Sequence, residues 1–218
     1  MFTGALSRPR LGPGVLLALA LCAASSNAQV RPKSVGAQEP GREQWQMPVR
    51  VMDEIGVRPG MTVADVGAGW GWFTFYLAER VGSSGRVIAE DIDAAALKAV
   101  RQRCAEERVA NVSVLVGEKE DPKLPAGTVD LALMVNVLSA LGEASNFLPN
   151  LAKGLKPEGR LVVIDWDPVK LRQIAEREYD PIRRQTLRRL QDANFELVKT
   201  LEFLPMQTIW ICKRRVRD

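Results

Sequence analysis

No histidine occurs among the 218 residues. A histidine general base is therefore excluded, and so is an imidazole metal ligand. There are three cysteines and they form no cluster, which leaves thiolate metal sites without support. The one compact carboxylate pair, Asp165-x-Asp167, reads as a solvated strand end, so no metal is expected. The apolar run over residues 15–24 has ten residues, short of the ~20 that a bilayer span needs. Neither sign of charge dominates: 30 Lys and Arg stand against 26 Asp and Glu, for a net +4, and they are interspersed. That pattern argues against a nucleic-acid partner. What remains is ordinary. The chain is 46% hydrophobic and 26% charged, which suits one domain with a substantial core.

The first 28 residues are expected to lie outside that domain. Arg8 and Arg10 precede the short apolar run, and Ser26-Asn27-Ala28 places small residues where signal peptidase cuts. The pattern predicts a secretory signal cleaved after Ala28 and a periplasmic or secreted product. Leu21 disfavours a lipoprotein site at Cys22, and Pro9 parts the arginines that a twin-arginine signal would need adjacent. An uncleaved anchor is the alternative. Residues 29–42 hold Pro32, Gly36, Pro40 and Gly41 and read as a flexible linker. The folded domain is then 43–218. Its two cysteines, Cys104 and Cys212, fall on a helix and a late strand, and two separate buried thiols are expected.

The stretch from Met61 to Asp91 organises the domain. Residues 62–66 are an apolar run ending in three alternating glycines, Gly67, Gly69 and Gly71. An amphipathic segment follows, with Phe73, Tyr76 and Leu77 on one face. Gly82 and Gly85 break it, and a second apolar run over 87–89 ends in Glu90 and Asp91. Strand, glycine turn, helix, strand makes one βαβ unit. The glycines let a ligand approach the backbone, and the helix start behind them offers free N–H groups. An acid at the tip of the second strand suits a ribose diol, because a carboxylate accepts from both hydroxyls. The dinucleotide pattern is G-x-G-x-x-G, whereas here it is G-x-G-x-G with Trp72 where the third glycine would fall. Asp65 sits inside the first strand end. A buried carboxylate needs a partner, and a ligand ammonium would serve, directly or through water.

The flanking patterns alternate. Residues 43–55 are helical, broken at Pro48. A helix over 94–107, with Asp93 as N-cap, leads to a strand over 112–116 and a loop over 117–127. A strand over 129–135, a helix over 144–155, a turn over 156–159 and a strand over 160–165 follow. Helices over 169–179 and 182–193 are parted by Pro181, and Asn194 suits the left-handed end of the second. Strands over 196–203 and 208–213 close the chain. Alternation implies a mainly parallel α/β sheet with helices on both faces. The short last connection implies an antiparallel pair. The strand order stays open.

Ligands of open α/β sheets bind beyond the carboxyl ends of the strands. Those ends carry Asp65, Gly67, Ala68, Gly69 and Gly71, then Asp91, then Glu120 and Asp121 after Gly117, then Asn136. Val63-Ala64-Asp65-Val66-Gly67-Ala68-Gly69-Trp70-Gly71 resembles motif I of the class I S-adenosylmethionine-dependent methyltransferases, V-x-D-x-G-x-G-x-G. Glu43-x-Trp45-Gln46-x-Pro48 and Asp121-Pro122-Lys123-Leu124-Pro125 resemble an exported bacterial subgroup of that family, with likeness over residues 43–213. The resemblance implies a Rossmann-like seven-stranded sheet with a C-terminal antiparallel hairpin and S-adenosylmethionine as cofactor. It also implies that Asp121, or failing it Glu120, accepts from the adenine amino group, and that Asn136 faces the methionine end.

The subgroup usually has Tyr-His where this chain has Leu138-Ser139. Asn-Pro-Pro-Tyr is absent, which disfavours exocyclic amine targets. Methyl transfer to a small-molecule acceptor is the expected function. One alternative is a non-catalytic binding or interaction protein, motivated by Leu138-Ser139 and the missing histidine. Another is an NAD-dependent oxidoreductase on the same βαβ unit. Asp167, Glu143 and Tyr179 are the candidate bases. Trp70, Trp72 and Trp166 lie near the expected site and either stack on a flat substrate or belong to the core.

Overall fold

The computed structural model describes residues 41–142, 146–167, 170 and 180–215. The expected signal, most of the linker, the helix over 169–179, Glu143 and Tyr179 lie outside them. The elements in order are α1 (Arg42–Gln46), α2 (Pro48–Glu54), β1 (Thr62–Val66), α3 (Trp72–Val81), β2 (Arg86–Asp91) and α4 (Ala94–Glu107). Then come β3 (Val112–Val116), β4 (Val129–Val135), α5 (Phe147–Gly154), β5 (Leu155–Trp166), α6 (Asp180–Asp192), β6 (Phe195–Leu201) and β7 (Gln207–Arg214). The seven strands form one sheet in the order β3-β2-β1-β4-β5-β7-β6. All pairs from β3 to β5 are parallel, and β7 runs antiparallel to both β5 and β6.

Period-two alternation along the strands sorts the core onto two faces. One face carries Ala64, Val66, Ala132, Met134, Leu161 and Val163 and packs on α5 through Phe147, Leu148 and Leu151. The other carries Val63, Leu131, Leu133, Val162 and Ile164 and packs on α2 and α3 through Val51, Met52, Phe73 and Leu77. Helices on both faces were expected. The same parity turns Asp65 toward α3 and Trp166 toward α1.

Local signals explain most boundaries. Pro48 opens α2, where its missing N–H costs nothing, and Met47 turns left-handed between α1 and α2 at φ 44°. The Asp93 side chain accepts from the N–H groups of Ala95 and Ala96 and caps α4. Asn194 ends α6 at φ 64°. Among the described residues helix α6 already includes Asp180 and Pro181, two residues before the expected start at 182. Tyr76 donates from its hydroxyl to Glu43 Oε1 at 2.7 Å and ties α3 to α1.

Three expectations need correction. The turn over 156–159 is absorbed into β5: Val129 pairs with Leu155 and Leu131 with Arg160, so the intervening residues bulge against Asp130 alone. Lys156 Nζ holds that bulge to Asp130 Oδ1 at 2.7 Å. The pair Asp165 and Asp167 is buried, 3% and 2% exposed, and is no solvated strand end. Ser139 donates to Asp165 through both its N–H and its hydroxyl, and Thr208 donates to Asp167. Cys104 and Cys212 are both free, but only Cys212 is fully buried. Burial pushes the Cys212 thiol up to about 12.

Gly71 shows why motif and core are inseparable. Its φ is 82°, and an added Cβ would fall 2.9 Å from the Phe75 ring and 3.0 Å from Val100. Gly71→Ala should therefore lower the unfolding free energy by about 1–3 kcal/mol, read from the urea midpoint at unchanged m-value.

Candidate active site

The carboxyl ends of β1, β2, β3 and β4 meet at one edge of the sheet, and the glycine turn after β1 lies at its centre. Gly67, Gly69 and Gly71 are all left-handed, at φ 70°, 53° and 82°. They serve different purposes. A Cβ on Gly67 would meet Val137 Cγ2 at 2.3 Å, and one on Gly71 would meet Phe75 and Val100. Those two glycines allow close packing. At Gly69 an added Cβ would have nothing within 4 Å. That face is the open cradle of the turn. Ala68 lies beneath it, buried in a small cluster with Phe75, Leu97 and Val100.

Three successive N–H groups of the turn donate to β2. Gly67 N donates to Glu90 Oε2 at 3.3 Å, Ala68 N to the Glu90 carbonyl at 2.8 Å and Gly69 N to Asp91 Oδ2 at 2.7 Å. Two of the three donors face carboxyl groups, and the Asp91 carboxylate makes the rim acidic. That is a poor seat for a pyrophosphate and a good one for a cation.

Asp91 occupies the rim. Its second oxygen, Oδ1, accepts from Asp93 N at 2.9 Å, and the side chain is half-buried. Each oxygen retains a lone pair, enough to accept a vicinal diol. Ile92 and Val116 flank it, 64% and 49% exposed, and Val116 is the β3 residue in register with Asp91. With Trp70, 54% exposed, they line an apolar margin that suits a flat ring. Hydrophobic pattern alone gave no signal for Ile92 or Val116, because a strand end reads as core.

Asp65 is buried behind the turn. The Thr74 hydroxyl donates to its Oδ2 at 2.6 Å, and the Thr74 N–H donates to it as well. The partner foreseen as a ligand ammonium is met within the fold by the first turn of α3. Burial raises the carboxyl to about 6, against the opposing Thr74 bond and with Asp91 adding to the rise. Glu90 escaped notice in the sequence. It is 1% exposed, and a Cβ on Gly117 would fall 1.9 Å from its Oε1. Burial raises it to about 8, opposed by the Gly67 N–H and reinforced by Asp91, Asp65 and Asp121. Its signal was the glycine at 117, legible only once β2 and β3 are known to be neighbours.

The two loop acids do different things. Glu120 Oε2 accepts from Asn146 N, and its carbonyl accepts from Asn150 Nδ2, both at 2.9 Å, which fastens the loop to the start of α5. Asp121 Oδ1 accepts from Lys123 N at 2.7 Å and stands near enough to Glu90 to raise it. Asn136, left-handed at φ 58°, accepts at Oδ1 from Gln207 Nε2 at 2.7 Å. Of the tryptophans, Trp72 is half-buried against the α2 and α3 side of the core. Trp70 and Trp166 are exposed, and Trp166 stacks on Trp45 with centroids 5.4 Å apart. Asp167, a candidate base, is buried and bonded by Thr208 Oγ1.

This strand order, with a glycine turn after β1 and an acid ending β2, defines a Rossmann-like nucleoside-binding domain. Residues 63–159 match the family model described as a methyltransferase domain. The chain is 34% identical over 112 residues to nocamycin O-methyltransferase of Saccharothrix syringae, covering 51% of this chain and 40% of that protein. It is 32% identical over 115 residues to a ubiquinone/menaquinone biosynthesis C-methyltransferase of Hydrogenovibrio crunogenus, covering 52% and 45%. The chain thus spans less than half the length of these two relatives. The crystal structure of a SAM-dependent methyltransferase from Aquifex aeolicus superposes with a TM-score of 0.71 at 29% identity, covering 80% of this chain and 93% of that one. Residues 63–159 thus read as a methyltransferase domain, and the chain shares its fold with S-adenosylmethionine-dependent methyltransferases, a likeness that supports S-adenosylmethionine as the cofactor. The dinucleotide alternative falls with this finding.

Asp65 and Glu90 both hold their protons more tightly in the folded chain than in the unfolded one. Their contribution to stability is full below the ordinary carboxylate range. It is lost as pH rises through about 6 for Asp65 and about 8 for Glu90. Stability should therefore fall between pH ~4 and pH ~9. Glu90→Gln keeps the shape and removes the charge. It should raise the unfolding free energy by about 1–3 kcal/mol near pH 9 and change little near pH 4, as read by urea titration at both values.

Proposed function

We propose that this chain binds S-adenosylmethionine across the turn after β1 and transfers its methyl group to a small-molecule acceptor. The observation that carries the reading is the open face of Gly69 directly beside the Asp91 carboxylate. Asp91 would take the ribose hydroxyls. Trp70, Ile92 and Val116 would bracket the adenine, and Asp121 would accept from its amino group. Asn136 would face the amino-acid end. The bound cofactor supplies an electrophilic methyl on a sulfonium, and the Asp91 carboxylate on the rim complements its charge.

The protein's own share of the chemistry is then alignment and exclusion of water. No histidine is present to take a proton, and Ser139 is engaged with Asp165. Relatives named for O-methylation and for C-methylation support a small acceptor without choosing the atom. The rival reading, binding without turnover, draws on the same segment: Leu138 is 1% exposed in the core and offers the site no acid or base. The two readings differ in labelled-methyl transfer. Incorporation into a small-molecule extract of the native host, lost with Gly69→Arg, supports an enzyme. Tight binding of the cofactor with no incorporation supports the rival. Asp91→Ala should weaken S-adenosylhomocysteine by about 1–3 kcal/mol in calorimetry.

We further propose that residues 1–28 are a secretory signal and that the mature protein is periplasmic or secreted. The charged start, the ten-residue apolar run and Ser26-Asn27-Ala28 support this. Among the described residues no helix is long and apolar enough to cross a membrane. Protein purified from the native host should begin at Gln29 on N-terminal sequencing. Soluble protein that retains Met1 would refute cleavage.

A further inference from the structure

A line of polar side chains crosses the α1 face of the sheet and ends at Asn136. Arg42 Nε donates to Gln46 Oε1 at 2.6 Å. Gln46 Nε2 donates to Gln207 Oε1 at 3.3 Å. Gln207 Nε2 donates to Asn136 Oδ1 at 2.7 Å. Gln46 and Gln207 are both 0% exposed. Two fully buried amides in series are costly unless every link is made.

The polarity of this line has a physical origin. A guanidinium has donors only. Gln46 must therefore turn its oxygen to Arg42, which leaves its amino group for Gln207. Gln207 must then receive with its oxygen and donate with its amino group. Asn136 must receive in turn, so its own amino group points away from the line. No described residue accepts from that amino group. The backbone makes the orientation firm: Asn136 N donates to the Ile164 carbonyl at 2.8 Å, and the next residue, Val137, closes over Gly67.

Position says what this donor meets. Strands β2 and β4 flank β1. Asp91 ends one and Asn136 follows the other, so they stand about 10 Å apart across the glycine turn, two strand spacings. A nucleoside anchored by its ribose at Asp91 and extending over Gly69 places its far end at Asn136. A free N–H donor suits a carboxylate there.

We propose that Gln46 and Gln207 are positioning residues that lock the Asn136 amide with its amino group toward the cofactor carboxylate, with Arg42 setting the sense of the relay. The proposal rests on the cofactor reading given above. It makes the short N-terminal helix part of the binding machinery, although neither glutamine touches the ligand.

Gln46→Glu tests it from the far end. A carboxylate only accepts. It keeps Arg42 as a charge partner and forces Gln207 to donate toward it. Gln207 then offers its oxygen to Asn136, whose amide must reverse and present oxygen to the ligand carboxylate. The probes are S-adenosylhomocysteine, which has the carboxylate, and methylthioadenosine, which lacks the amino-acid end. Calorimetry should show S-adenosylhomocysteine weakened about 10- to 100-fold, the scale of a lost charged hydrogen bond, with methylthioadenosine unchanged. Gln207→Glu reverses only the last link and should give the same split, which covers the case in which the first variant does not fold. Gln46→Met removes one link without imposing a reversal and should lose less than Gln46→Glu. Wild-type affinity for S-adenosylhomocysteine in the folded glutamate variants overturns the proposal, and so does a parallel loss of both probes. If the wild-type protein binds neither probe, the cofactor reading itself fails and the relay with it.

Discussion

The structure of the site depends on the clasp between the turn after β1 and the end of β2. Three consecutive N–H groups, of Gly67, Ala68 and Gly69, are satisfied by Glu90 and Asp91. A left-handed glycine turn would otherwise leave those donors to water or to an anion. Satisfying two of them with carboxyl groups and the third with the Glu90 carbonyl does two things at once. The turn becomes rigid, and its rim acquires negative charge. The same βαβ geometry that elsewhere cradles phosphate is converted into a seat for a nucleoside bearing positive charge.

Burial of two acids beside that rim has consequences for the rest of the domain. Asp65 and Glu90 lie on opposite faces of the sheet, with the turn between them. Each is tolerated because a specific group answers it, Thr74 for Asp65 and the Gly67 N–H for Glu90. Glu90 also dictates the residue at 117, since only glycine leaves room for its Oε1. Thr74 links the acid to the first turn of α3, where a negative charge meets the positive end of the helix. Core packing, helix capping and site electrostatics therefore share the same few atoms.

On the far side of β1, neutral amides replace carboxylates. The relay from Arg42 to Asn136 brings α1 to the end of β4, and the Trp45–Trp166 stack brings it to the end of β5. The Tyr76 hydroxyl on Glu43 adds a third tie. A five-residue helix has no stability of its own. These contacts, not propensity, hold it over the sheet edge. The site thus has an acidic wall from β2 and an amide-lined wall from β4 and α1.

Much of this was legible in the chain. Alternating apolar runs with period two and 3.6, punctuated by Gly67, Gly69 and Gly71, determined the βαβ unit and the α/β class, because local periodicity and backbone sterics act over a few residues. Asp65, Asp91 and Asn136 were identifiable as strand-end groups for the same reason. The order β3-β2-β1-β4-β5-β7-β6 was not, since which strands become neighbours is decided by long-range packing. Everything that depends on neighbours was hidden with it. Glu90 looked like an ordinary polar residue until β3 placed Gly117 against it. Asp165 and Asp167 looked solvated until Ser139 and Thr208 closed on them. Gln46 and Gln207, 161 residues apart, share one buried hydrogen bond that no spacing announces. The residue types were written in the sequence; their protonation, their orientation and their partners were decided only when tertiary packing removed water from around them.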